Sequence, residues 1–109
     1  MAEKNAEQVR AFTEMVATKQ GWILNSDREF YETLVAGLMA NWNRYGYFLC
    51  PCRDSEGNRE ADAKALCPCS WARADIEKHG HCYCALYLSK EFAASGKEPS
   101  GIPDGRYAN

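Results

Sequence analysis

Leu49-Cys50-Pro51-Cys52, Leu66-Cys67-Pro68-Cys69 and His81-Cys82-Tyr83-Cys84 hold all six cysteines of this 109-residue chain. Each pair is Cys-x-Cys, and in extended backbone residues two apart point to the same side. One pair can therefore set two sulfurs at one centre, or one sulfur on it and one just beyond. Pro51 and Pro68 fix their own φ, remove an N–H donor and bias the preceding cysteine toward extended backbone. The first two triplets therefore read as stiff loops that present sulfur, neither helix nor central strand. A cubane iron–sulfur cluster takes four thiolates. Six cysteines leave two over, the number a redox-active disulfide needs.

Working outward, helices surround this region. Residues 6–19 form an amphipathic pattern with Val9, Phe12 and Val16 at helical spacing, ended by Gly21. A stronger helix is predicted over 27–45, with Ser26 as N-cap and Glu29 completing a capping box. Tyr31, Val35, Leu38, Met39 and Trp42 make one stripe, widened by Phe30 and Leu34, which reads as a core face before it reads as a cofactor site. Gly46 then releases the chain toward Cys50. A polar loop over 53–60 precedes a short helix over 61–66. Ser70 is the expected cap of a helix over 71–78, and Gly80 its end. Residues 85–88 read as a short extended piece, and Ser89 caps a last helix ending at Gly96. The tail carries Pro99, Gly101, Pro103 and Gly105 and is irregular. No alternating pattern argues for a sheet. The expected fold is mainly α: a small single domain, 1–109, of several helices wrapped around a cysteine-rich loop region.

Composition narrows the function. The formal net charge is −2 with both signs interspersed, which excludes the basic stripe of a nucleic-acid binder. The longest uncharged stretch, 33–43, is too short to span a bilayer, and residues 1–7 lack the apolar core of a signal peptide. A cytoplasmic location is expected, without membrane or nucleic-acid partners. In a reducing compartment, cysteines favour metal or redox chemistry over structural disulfides. A secreted three-disulfide domain is the less favoured reading.

The order CPC, CPC, CxC resembles the catalytic (beta) subunit family of ferredoxin:thioredoxin reductase. The likeness spans residues 49–88 and extends loosely to the helix before them. It is closest to a divergent, prokaryotic-type member, because Tyr83 stands where the family's last triplet has histidine. The first gap is fourteen residues and the second twelve, against a shorter second gap in the plant type. Loop closure entropy grows slowly with length, so such changes are tolerated. The resemblance implies that Cys50, Cys67, Cys69 and Cys82 hold a [4Fe–4S] cluster. It implies that Cys52 and Cys84 form the active disulfide, with Cys52 the exposed nucleophile and Cys84 the cluster-facing partner. It implies ferredoxin as electron donor, and thioredoxin or a thioredoxin-like protein as substrate. A small variable subunit accompanies the plant-type enzymes.

Three nearby side chains bear on that chemistry. His81, beside Cys82, has a suitable reference pKa for handling the proton that the family's histidine would handle. Tyr83 is a poor base and suits packing or hydrogen bonding to sulfur. Arg53 follows Cys52 and can favour its thiolate, although a solvated loop arginine reads equally well. His79 reads as a helix-end histidine. Two other functions stay open from the residues alone. Four of the cysteines would suffice for a structural zinc module, although zinc knuckles more often use longer spacers. A simple [4Fe–4S] electron carrier is the other, although carriers use Cys-x-x-Cys runs, absent here.

Overall fold

A computed structural model describes residues 3–51, 55, 57–99 and 101–102. Cys52, Arg53 and the tail positions Pro103 and Gly105 lie outside the described residues, as does part of the polar loop over 53–60.

Helix α1 spans Ala6–Gln20 and opens with a capping box. The Asn5 side chain accepts from the Gln8 N–H and the Gln8 side chain accepts from the Asn5 N–H, both at 2.9 Å. Gly21, at φ 77°, ends it in the left-handed region as expected. Helix α2, Arg28–Tyr45, starts one residue later than predicted. Its N-cap is Asp27, whose side chain accepts from the Phe30 N–H. Ser26 loses that role because the Asn25 side chain captures the Asp27 N–H at 2.8 Å, which turns the chain and delivers Asp27 to the helix entrance.

The two helices are antiparallel. Lys4 meets Asn43, Arg10 pairs with Glu32, and the hydroxyls of Thr13 and Tyr31 share a buried hydrogen bond of 2.7 Å. Between them Val9, Val16, Tyr31, Leu34, Val35 and Leu38 are buried. Burial of such side chains is worth about 1.5–3 kcal/mol each and fixes the pair as the platform for the rest. Phe30 is 40% exposed and does not join the core face.

The smaller elements stack on this platform. Strands β1 (Ile23–Leu24) and β2 (Tyr87–Leu88) pair antiparallel, Ile23 opposite Leu88 and Leu24 opposite Tyr87. Two residues are too few to show a period, so this ladder was invisible as alternation. Helix α3, Arg59–Asp62, is capped by Asn58 and continues as a 3₁₀ turn over Ala63–Ala65. It therefore starts two residues before the predicted helix. Helix α4, Ala72–His79, ends at Gly80 as expected, but its N-cap is Trp71 without a side-chain bond. The backbone N–H of Ser70 is turned toward the Lys64 carbonyl instead. Helix α5, Lys90–Ser95, is capped by Ser89 and ends at Gly96. Among the described residues no helix is long and apolar enough to cross a membrane.

The cap assignment is testable. Asp27→Ala should lower stability by about 1 kcal/mol, read as a lower melting temperature. Ser26→Ala should change it by less than about 0.5 kcal/mol. The reverse order would contradict the observed helix start.

Candidate functional site

Each cysteine triplet is delivered by its own backbone device. After Gly46 the chain doubles back along α2. There the Asn41 side-chain amide donates to the Leu49 carbonyl at 2.8 Å. One turn earlier on the same face, Gly37 lies against Pro51. A Cβ at position 37 would come within 2.9 Å of the Pro51 Cβ. Phe48 anchors the approach, its ring stacked on Phe12 at 4.4 Å and tilted against Trp42 at 4.8 Å.

The second triplet lies beside the first. Leu49 and Leu66 form an antiparallel bridge. The Cys50 N–H donates to the Ala65 carbonyl at 2.9 Å, and the Cys67 N–H to the Phe48 carbonyl at 2.7 Å. The Cys67–Pro68 peptide is cis. The Cys69 carbonyl then accepts from the Ala72 N–H at the start of α4.

The third triplet sits in a tight return closed by a bridge between His81 and Leu88. The Cys82 N–H donates to the Tyr87 carbonyl, and the Ala85 N–H to the Cys82 carbonyl. Ala85 holds φ 60°, a conformation that is costly for a residue with a Cβ. Asn25 secures it from outside: its side chain donates to the Ala85 carbonyl at 2.9 Å and its backbone N–H to the Leu86 carbonyl at 3.0 Å.

These devices converge. Cys50, Cys67, Cys69, Cys82 and Cys84 are each at most 9% exposed. All five line one small cavity, together with Pro68, Ala72, Tyr83 and Tyr87. The thiols there are not alike. Burial pushes Cys67 well above the ordinary thiol range, and the neighbouring Cys50, Cys82 and Cys69 add to it, while the Tyr87 hydroxyl at 3.6 Å pulls the other way. Cys82 is lowered to about 7, first by a hydrogen bond from the Cys84 side chain, with the Tyr87 N–H at 3.4 Å assisting against burial. Burial also raises the Tyr87 phenol far above its usual value, so it remains a donor.

The donor set fits a polynuclear iron–sulfur group. Thiolates in a dry interior need a counter-charge, and soft sulfur selects such clusters or zinc. Among the described residues no three or more His, Cys, Asp or Glu side chains are arranged to hold a metal ion. The sulfurs instead line one cavity, and the Tyr87 N–H donates to the Cys82 sulfur, a contact that would suit a ligating thiolate.

The remaining sequence-predicted residues fall in different places. Tyr83 is on the cavity wall. His81 is 2% exposed, and its Nδ1–H donates to the Cys82 carbonyl at 2.7 Å. The ring meets Phe92 edge-on at 5.5 Å and is not among the residues lining the cysteine cavity. His79 closes the last turn of α4 beside Gly80. Cys52 and Arg53 are outside the described residues.

Sequence reasoning missed Tyr87, Asn25, Asn41, Gly37 and Asp62. Asp62 is fully buried and accepts from the Tyr47 hydroxyl at 2.5 Å and the Ser55 hydroxyl at 2.7 Å. It thus tethers the segment between the first two triplets. An isolated glycine within a helical pattern often has a packing cause, so Gly37 carried a usable signal. The others carried none without the fold.

Gly37→Ala isolates the contact with Pro51. Alanine should add about 1 kcal/mol of helix propensity, yet the crowding should cost about 1–3 kcal/mol. The expected net result is a lower melting temperature. A higher one would contradict the close packing.

Comparison with known proteins agrees with this architecture. The sequence model of the family described as "Ferredoxin thioredoxin reductase catalytic beta chain" matches residues 1–103. The chain is 28% identical over 105 residues to the chloroplastic ferredoxin-thioredoxin reductase catalytic chain of Arabidopsis thaliana, covering 94% of this chain and 69% of that one. It is 31% identical over 100 residues to the catalytic chain of Pyropia yezoensis, covering 87% and 82%. For that of Porphyra purpurea the identity is 30% over 90 residues, covering 80% and 72%. A match across nearly the whole chain, on a helical scaffold that gathers its five described cysteines into one cavity, places this protein in the ferredoxin-thioredoxin reductase catalytic chain family of oxidoreductase enzymes.

Proposed function

We propose that this chain, as one catalytic-subunit-like domain, reduces the disulfide of thioredoxin or a thioredoxin-like protein with electrons from ferredoxin. Cys50, Cys67, Cys69 and Cys82 would hold a [4Fe–4S] cluster, and Cys52 and Cys84 would form the adjacent redox-active disulfide. The observation that carries this reading is the single buried cavity shared by every described cysteine. When bound, the cluster supplies one-electron transfer beside the disulfide, which bridges a one-electron donor and a two-electron reduction.

The chain's own residues do the rest. Opening the Cys52–Cys84 disulfide takes two electrons and, in total, two protons. The Cys52 thiolate attacks the target disulfide. A Cys52–target S–S bond forms, and one target sulfur leaves as thiolate. The Cys84 sulfur then attacks Cys52, restoring the internal disulfide and releasing the second target thiol. Cys84 is suited to the inner role because its side chain already hydrogen-bonds Cys82 in the cavity. Buried His81 enters this scheme as a positioning residue that fixes the Cys82 carbonyl, and Tyr83 packs on the cavity wall. A small variable subunit is a further partner under this reading, and a reducing compartment such as the cytoplasm suits the thiol chemistry.

Two experiments test the assignment. Cys84→Ser should leave Cys52 able to trap thioredoxin as a stable mixed disulfide, resolved by mass spectrometry of the adduct. A bond through any other cysteine would overturn the assigned roles. Serine at position 50, 67, 69 or 82 should impair cluster assembly and lower the melting temperature, since metal binding is coupled to folding. Cys52→Ser should retain the cluster. A complete, stable cluster in all four ligand variants would refute the ligand set.

A further inference from the structure

Tyr87 does more than fill space. Its residue is 1% exposed, and its ring packs against Trp22 with centroids 5.3 Å apart. Its backbone is pinned on both sides: it pairs with Leu24 in the two-stranded ladder, and its carbonyl accepts from the Cys82 N–H at 3.0 Å. So held, the residue spans two triplets. Its N–H points at the Cys82 sulfur at 3.4 Å, and its hydroxyl lies 3.6 Å from the Cys67 sulfur. A phenylalanine would supply the same packing. A hydroxyl buried this deeply is costly unless it is hydrogen-bonded.

We propose that the Tyr87 hydroxyl donates to the Cys67 sulfur and sets the reduction potential of the cluster that Cys67 holds, an inference that rests on the cluster reading above. The direction of donation follows from chemistry. A ligating sulfur carries no proton, so the phenol is the only donor of the pair. Hydrogen bonds to cluster sulfurs are among the main determinants of cluster potential. A donor placed on a thiolate draws off negative charge and favours the more electron-rich state. Tyr87 therefore acts through Cys67 as a positioning and tuning residue.

The test uses the full chain purified anaerobically as wild type, as Tyr87→Phe, and with a difluorinated tyrosine incorporated at position 87. Iron and sulfide counts establish assembly. An optically monitored redox titration then gives each midpoint potential, and resonance Raman gives the Fe–S(Cys) stretching frequencies. Tyr87→Phe should move the potential to more negative values and shift a stretching band. The fluorinated phenol, a stronger donor, should move the potential the opposite way. Equal potentials in cluster-bearing wild type and Tyr87→Phe would overturn this inference alone. If the phenylalanine variant fails to assemble, an unmoved potential with the fluorinated residue would overturn it. A wild-type chain without iron and sulfide would overturn the cluster reading and this inference together.

Discussion

Sulfur must be gathered in a dry interior without leaving its charge unanswered, and most of this structure is organised by that constraint. Five thiols share one cavity in which burial opposes ionisation. The opposite displacements of Cys67 and Cys82 show the two ways out. Burial pushes the Cys67 thiol up, while Cys82 is eased down by a side-chain donor and a backbone N–H. Iron would answer the charge on all its ligands at once. Such a group would let a chain of 109 residues with two packed long helices commit so much interior to cysteine.

The scaffold meets the constraint with short, local devices. One bridge, Leu49 to Leu66, lays the first two triplets side by side, and another, His81 to Leu88, closes the return that carries the third. Each is anchored from a neighbouring element: Gly37 and Asn41 on α2 seat the first, and Asn25 holds the strained Ala85 turn of the third. Phe92 of α5 packs over Gly80, where a Cβ would collide with its ring, and meets the His81 ring edge-on. Asp62 does similar work for the connection between the CPC pairs through Ser55. The chemistry sits on loops, and loop precision comes from these tethers.

Much of this was legible in the sequence, for identifiable reasons. The long helices announced themselves through periodic Val9, Val16, Tyr31, Val35 and Leu38, and their ends through Gly21 and Gly46. The ordered triplets identified the family, since spacing and central proline are properties of the chain itself. What failed depended on tertiary context. Ser26 and Ser70 looked like caps, but neighbouring groups decided which residue entered each helix. Strands of two residues have no period to read. For His81 the sequence offered its place beside Cys82 and its reference pKa, and the fold adds that it is buried and donates to the Cys82 carbonyl. Tyr87 carried no signal at all, because its importance lies in contacts with residues five and twenty positions away.

The central claim is that three separate cysteine loops form one cluster site with two thiols to spare. Iron, acid-labile sulfide and zinc counts on the anaerobically purified wild-type chain test it most directly. The account predicts about four iron and about four sulfide per chain, the content of one [4Fe–4S] cluster, with little zinc. A colourless protein containing stoichiometric zinc and no sulfide would contradict it.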